Sequence, residues 1–505
     1  VTEEEAFLEA IADNPDDDGL RLIFADWLDE RDDPRGEFIR VQIELAQLPE
    51  DDLRRWELQA RERILADEMD ARFRDALGDP PITGHFRRGL VETLSLRGEV
   101  FLGHAEKLFR MAPVRELLLH EIGSTLPRLA ESPYLARLQG LTLATREALD
   151  VSHLQRLVAS PHLRNLVHFR LGCQNPGPEA LRVLAEASFA GNLRSLDLGG
   201  NKMGATAAEV LANSPGFASM TELDLRDNNL GSAGAQALAS SPYLTQLSRL
   251  TLAFNEISAT GVRSLALGPR FGTLTKLDLT QNPLRNEGVQ EIAASPNWNQ
   301  LQVLDLTETQ FGPSGMVALA NSATLQSLTR LRLNRNHLGP QGTRALAGSA
   351  NFAQLTHLDL QGNEIGDEGA EALAQSPHLK QLTDLGLSAN GLRVFGVKHL
   401  ATSPYLARLR CLDLSRNSLG DAGLQVLARS PRLAGLVRLY LRKNGIGDLG
   451  VKDLVTFPHL ANLRELDLRD NNVTLEWFAT IWASPLGTKL VKSLSDKGRQ
   501  PALRY

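Results

Sequence analysis

The sequence predicts an α/β solenoid of about 15 strand–helix repeats, with a parallel sheet on its concave face and a small all-α domain in front. Three observations carry this. The octet LDLRDNNL (Leu223 to Leu230) returns as LDLRDNNV (Leu466 to Val473), 243 positions later, which is nine steps of 27. An asparagine marks the steps at Asn201, Asn228, Asn255, Asn282, Asn336, Asn363, Asn390, Asn417, Asn444 and Asn471, with Thr309 standing in once. A glycine column keeps the same phase at Gly234, Gly261, Gly288, Gly315, Gly342, Gly369, Gly396, Gly423 and Gly450.

Composition agrees with a repeat array. A chain of 505 residues is too long for one ordinary core. Its 42% hydrophobic and 23% charged residues are normal for a folded protein, while only 5% aromatics implies a core of Leu, Val, Ile and Ala.

Residues 1–50 read as a helical domain, with helices near Glu3–Ala12, Gly19–Glu30 and Glu37–Leu48 and a turn at DDPRG. Asn14, Asp16, Asp18 and Gly19 sit at the first, third, fifth and sixth places of a calcium loop, but the twelfth place, where a Glu is needed, is Ala25. A capped, solvated turn without metal is therefore expected. Trp27 and Phe38 read as core anchors. Residues 51–84 follow as a charged connecting helix and a linker, PPITG.

The solenoid spans 85–473. Four looser copies, around Leu94/Leu96, Leu117/Leu119, Leu141/Leu143 and Phe169/Leu171, precede eleven regular ones. In each copy an alternation such as Leu250/Leu252 gives a strand with one buried face. The segment GSAGAQALASSP (Gly231 to Pro242) then reads as a helix, with Ser232 in a cap column that holds Asp367, Asp421 and Asp448 elsewhere. Pro242 closes the helix, and Ser-Pro recurs nine times along the chain. Each marker Asn turns inward, where its amide must bond the backbone of adjacent turns. Helices are wider than strands, so the stack curves. The segment 474–492 reads as a capping helix with Trp477, Phe478, Ile481 and Trp482 on one face, and 493–505 as a tail.

The in-phase pattern LxxLxLxxNxLGxxGaxxLA, over roughly residues 90 to 485, resembles the ribonuclease-inhibitor-like class of leucine-rich repeats. That resemblance implies a horseshoe that binds proteins on its concave face. The stretch LIFADWLDERDDPRGEFIRVQ (Leu22 to Gln42) resembles the repeat-companion domain of bacterial planctomycete paralogues, which implies the company of a repeat array and no activity.

Charge and motifs narrow the function. Net charge is -7, yet residues 1–80 hold 25 acids and 10 bases, a net of -15, while the remainder holds 36 acids and 44 bases, a net of +8. Nucleophile elbows, phosphate-binding glycine loops, HExxH and paired CxxC motifs are absent, so neither an enzyme nor a cofactor is expected. Cys173 and Cys411 lie about nine strands apart at about 4.8 Å each, beyond disulfide reach. The acidic opening VTEEEAFLEAIADN and the lack of a long apolar run lead to the expectation of a cytoplasmic chain without a membrane partner, and a monomer is expected.

On the concave face, a column of Asp197, Asp224, Asp278, Asp305, Asp359, Asp413 and Asp467 needs compensation, available from Arg226, Arg249, Lys276, Arg330, Arg332, Arg438, Arg442 and Arg469. The leading partner-binding candidate is Arg416, Arg438, Tyr440, Arg442, Lys443 and Arg469, because Arg and Tyr dominate binding surfaces. A second is Arg330, Arg332 and Arg335 with His357. Three functions fit: a scaffold holding a protein partner, a nucleic-acid binder using the C-terminal basic patch, and an adaptor masked by its acidic head. The pI of 5.9 argues against the second.

Overall fold

The computed structural model describes residues 2–49, 52, 54–78, 80–145, 149–173, 175–456, 458–487 and 490. The expected tail at 493–505 lies outside them. Packing divides the chain into two compact units, Val1–Leu230 with Ser241–Leu247, and Gly231–Ser240 with Ser248–Tyr505.

The first unit opens with helices α1 (Glu3–Asp13), α2 (Asp18–Asp29), α3 (Arg35–Gln47) and α4 (Arg54–Leu77). A capping box between Thr2 and Glu5 starts α1. The calcium-like loop is a helix cap: Asp17 accepts from Gly19 and Leu20 amides at 2.8 and 3.4 Å, while Asp16 and Asp18 pair with Arg87 and Arg88 at 3.2 and 3.1 Å. Phe38 is fully buried, and Trp27 packs half-buried on Phe7 and Phe24 with Arg31 over its ring.

Seven strands follow in order: β1 (Ile82–Arg87), β2 (Leu90–Arg97), β3 (Glu116–His120), β4 (Gly140–Thr145), β5 (His168–Cys173), β6 (Ser195–Asp197) and β7 (Glu222–Asp224). PPITG is not a plain linker. Its Ile82 starts β1, which folds back antiparallel on β2, because the turn at Arg88–Gly89 has left-handed backbone and Gly89 packs directly on Ile39 of α3. From β2 to β7 the pairing is parallel, in steps of 23, 24 and 28 residues before 27 takes over.

The acidic head is tied to this hairpin. Leu90 joins the core made by Leu8, Ile11, Phe24, Leu28, Ile39 and Ile43. Arg21, fully buried, donates to Glu92 of β2 at 2.5 Å, and Arg110 bonds Glu5 at 2.7 Å. Burial lowers the Arg21 pKa, against the pull of Glu92. Glu5 and the Asp16–Asp18 loop of the head are thus paired within the first unit.

The second unit holds β8 (Arg249–Thr251), β9 (Lys276–Asp278), β10 (Val303–Asp305), β11 (Arg330–Arg332), β12 (His357–Asp359), β13 (Asp384–Gly386), β14 (Cys411–Asp413), β15 (Arg438–Tyr440) and β16 (Glu465–Asp467), paired parallel in sequence order. Every residue faces its counterpart 27 positions on, as with Leu331 and Leu358. Strands β2 to β16 are the fifteen repeats counted in the sequence.

Three polar ladders stitch the repeats. In the first, Asn417 Nδ2 donates to the Leu387 and Leu414 carbonyls at 3.0 and 2.9 Å, and its Oδ1 accepts from the Asn390 and Leu392 amides at 2.9 and 3.0 Å. Asn282 and Asn336 do the same in their own repeats. In the second, the Ser of Ser-Pro donates to a carbonyl of the preceding repeat: Ser295 to Ala266 at 2.8 Å, Ser376 to Ala347 at 2.6 Å, Ser403 to Ala374 at 2.6 Å.

The third ladder corrects the cap column. Asp367 and Asp421 are the second residues of helices Gly366–Ala374 and Gly420–Ala428, and Asp448 is the first of Asp448–Thr456; the carboxylates cap the next repeat instead of their own helix. Asp367 accepts from the Arg393 and Gly396 amides at 2.8 and 3.0 Å, Asp421 from Gly447 at 2.6 Å, and Asp448 from Thr474 at 2.8 Å. This explains two members of the glycine column. A Cβ at Gly396 would lie 2.5 Å from Asp367 Oδ1, and one at Gly450 2.8 Å from Asp421 Oδ1.

The C-terminal helix, Leu475–Ala483, buries Ile481, while Trp477 and Phe478 are half-buried and Trp482 is 38% exposed. The expected single buried face is thus incomplete.

Replacing Asn336 by Ala removes six bonds and leaves buried backbone groups unmatched, which should lower the unfolding free energy by about 3 kcal/mol or more. The Thr309 side chain donates to Leu306 at 2.8 Å but, among the described residues, forms no bond to the preceding repeat, so Thr309→Asn should stabilise by about 1 kcal/mol. Urea-denaturation midpoints that move the other way would contradict the ladder. Gly450→Ala should destabilise by about 1–3 kcal/mol in the same assay, through the clash with Asp421.

Candidate functional site

In the second unit, each repeat points four residues away from the core: the first and third of the strand, the fifth, and the turn residue just before the ladder Asn. That last position has left-handed backbone throughout: Phe254, Gln281, Glu308, Arg335, Gly362, Ala389, Arg416, Lys443 and Asp470 all have φ between 51° and 67°. This backbone costs every residue but glycine, yet residue type varies from repeat to repeat, so the turn fixes direction and not type.

The Asp column has a role common to all its members. Asp197, Asp224, Asp278, Asp305, Asp359, Asp413 and Asp467 each accept from the amide two residues on, at 2.8 to 3.3 Å, closing the turn after the strand. Compensation is uneven. Asp224 pairs with Arg226, Asp305 with Arg332 at 3.3 Å, and Asp467 with Arg469 at 2.6 Å. Asp197 takes Arg170, which the sequence reading did not include, at 3.1 Å. Arg438 and Arg442 leave the column and pair with Asp384 and Asp470 at 2.9 and 2.7 Å. Burial, then repulsion from Asp305, holds the Asp278 carboxyl above its ordinary range. Burial does the same to Asp413 despite its bonds to Ser415, with Asp359 and Asp467 adding repulsion.

The leading candidate patch divides accordingly. Tyr440 is only 7% exposed and donates its hydroxyl to Glu465 at 2.7 Å. Arg438, Arg442 and Arg469 are each held by a carboxylate. Arg416 and Lys443 are exposed turn residues, and among the described residues neither forms an ion pair. They line a depression of about 600 Å³ together with Ala389, Ser418, Gly420 and Gly445.

The second candidate, Arg330, Arg332 and His357, lines another depression, of about 390 Å³, with Asp359, Gly386 and Asp413. Arg335 is not part of it; it pairs with Glu308 at 2.8 Å. Gly386 opens the gap, since a Cβ there would lie 2.4 Å from Asp359 Oδ1. Asp384 accepts from Arg438 at 2.9 Å and from Thr383 at 2.8 Å, and lies 3.4 Å from His357 Nε2. Cys411 lies on the next strand. A Cys, a His and an Asp thus meet, but burial pushes the thiol up to about 12, outweighing Arg438, so it stays protonated at neutral pH. This arrangement does not arm a nucleophile.

The sequence reading missed the Ser ladder and the inter-repeat caps, although both columns were visible. The signal was constancy itself: a residue needed only to stop a helix would vary between repeats more than this Ser does.

Nine segments, residues 192–212, 218–239, 273–293, 299–320, 324–347, 354–374, 408–428, 436–455 and 459–476, match the leucine-rich repeat family model. With the parallel strands and the Asn ladder, they define the class: the chain is a leucine-rich repeat protein. It is similar to an internalin (inlF) from Listeria monocytogenes, at 21% identity and a TM-score of 0.38, over 71% of this chain and 80% of that one. No curated protein matches it. Among the described residues, no helix is long and apolar enough to cross a membrane.

Asp278→Asn and Asp413→Asn should raise the melting temperature at pH 7. Both carboxyls titrate higher in the folded chain, so their charge costs stability above the folded pKa. The gain should shrink as pH falls and vanish below about 4, where the unfolded carboxyl is also neutral. A gain that grows with acid would refute the assignment.

Proposed function

We propose that the protein is a non-catalytic scaffold whose strand face, read as concave, holds a protein partner. Leucine-rich repeat proteins generally act in protein interaction. The observation that carries the reading is the interruption at β13. There Gly386, Ser388 and Ala389 occupy outward positions that hold Arg332, Asn334 and Arg335 two repeats earlier and Tyr440, Arg442 and Lys443 two repeats later. One depression opens over this interruption, from β11 to β14, and another beside Ala389 at the turns that follow β13 to β15, each bordered by cations. A protruding element of a folded partner can seat there with Arg and Tyr side chains around it. One copy of the chain, in the cytoplasm, suffices for this role; two cysteines in 505 residues and the thiol of Cys411, which has no disulfide, fit such a compartment.

Affinity capture from native lysate with mass spectrometry tests the reading. The full chain should retain a stoichiometric protein. Arg332→Glu with Arg442→Glu should reduce its recovery at least about tenfold, the scale of a lost hot spot. Lys398→Glu, on an exposed helix position, should leave recovery unchanged. Equal loss from both variants, or no stoichiometric protein, would defeat the scaffold.

A further inference from the structure

The depression at Arg416 and Lys443 allows a narrower statement about the partner. Its lining, Ala389, Arg416, Asn417, Ser418, Gly420, Lys443, Asn444 and Gly445, contains no carboxylate, whereas the depression at Gly386 is lined by three. Elsewhere in the second unit the candidate cations are engaged: Arg332, Arg335, Arg438, Arg442 and Arg469 all hold acids of the chain. Arg416 and Lys443 form no ion pair among the described residues: the Asp470 carboxylate next to Lys443 feels its charge but is held by Arg442, and Asp413, on the strand leading to Arg416, has no cation of its own among the described residues. The left-handed turn aims the two cations away from that column.

Nor does the fold need their charge. The same turn position is Gly362 in one repeat and Ala389 in another, with the same backbone sign. Arg416 and Lys443 occupy consecutive repeats, whose strands lie about 4.8 Å apart, so one acidic side chain or two neighbouring ones can bridge them. Six residues beyond Ala389 and Lys443, in the first turns of the following helices, Phe395 and Leu449 are each 69% exposed.

We propose that this turn edge captures an acidic segment of the protein partner, with Asp or Glu carboxylates on Arg416 and Lys443 and an apolar neighbour against Phe395 or Leu449. The assignment rests on the scaffold reading and specifies its partner. A nucleic acid fits the edge less well. A duplex carries one charge per about 1.7 Å, and the next turn residue along the same column is Asp470. Two cations match a short acidic stretch, and the apolar flank matches a peptide.

Fluorescence anisotropy on the full chain at low salt tests this, using a labelled ten-residue Glu-rich peptide containing Phe and Leu, its Gln counterpart, and a 20-nucleotide single-stranded DNA. The Glu peptide should bind, and the Gln peptide should bind at least about tenfold more weakly. The double variant Arg416→Ala, Lys443→Ala should lose at least about tenfold for the Glu peptide, while Lys380→Ala, exposed elsewhere, should stay within about threefold. Matching circular dichroism and urea midpoints would show that the double variant folds, as Ala389 at the same turn position leads one to expect. No binding of the Glu peptide, equal binding by the double variant, or binding of the DNA in preference to the peptide would each overturn the assignment. If strand-face variants still abolish partner capture in that event, only the acidic segment falls; if capture fails as well, the scaffold falls with it.

Discussion

The structure depends on a buried amide that reaches backwards. After β6 to β16, except at Thr309, an Asn side chain donates to carbonyls of its own and the preceding repeat, and in most of these repeats accepts from amides of the preceding turn. A left-handed turn without such a partner would bury backbone groups that water cannot reach. Because the satisfying atoms come from the next repeat along, each tile is complete only when its neighbour is present. The leucines supply the larger part of the stabilisation, but they are tolerant of exchange and the amide is not.

Two further ladders use the same principle at other corners of the tile. The Ser of Ser-Pro binds a carbonyl near the end of the preceding helix, and an Asp, Asn or Ser near the start of one helix caps the next. All three point along the stack. Hydrogen bonds across the repeat boundary therefore close the strand end, the helix start and the helix end, and the glycine column lets the caps approach. The head joins the array by another route, through a shared apolar core and the buried Arg21–Glu92 pair. Breaking such a pair on one side would leave an uncompensated charge.

The proposed function uses positions that these ladders leave alone. The Asp column, although it faces outward, is bound into the turns by local amide bonds, so its constancy reflects backbone chemistry before any partner. The turn residues before each Asn have their backbone dictated and their side chains free. Arg416 and Lys443 occur there, and so does Ala389, which makes the contrast between repeats visible within one chain.

The sequence by itself determined the period, the strand–helix order, the fifteen repeats and the inward Asn, because a 27-residue tile repeats its local constraints in phase and pattern reading accumulates over copies. It also placed the head helices to within a residue or two. What it left undecided depended on distance between residues far apart in the chain. Asp367 looked like a cap for its own helix, and only the neighbouring helix showed which amides it reaches. Arg438 and Arg442 looked like partners of the Asp column or of a bound protein until the strand two repeats back and the turn one repeat on supplied Asp384 and Asp470. Tyr440 was legible as outward-facing but not as buried, since burial depends on what the adjacent strand carries. Periodicity specifies which way a side chain points; the identity of the residue 27 or 54 positions away decides what it meets.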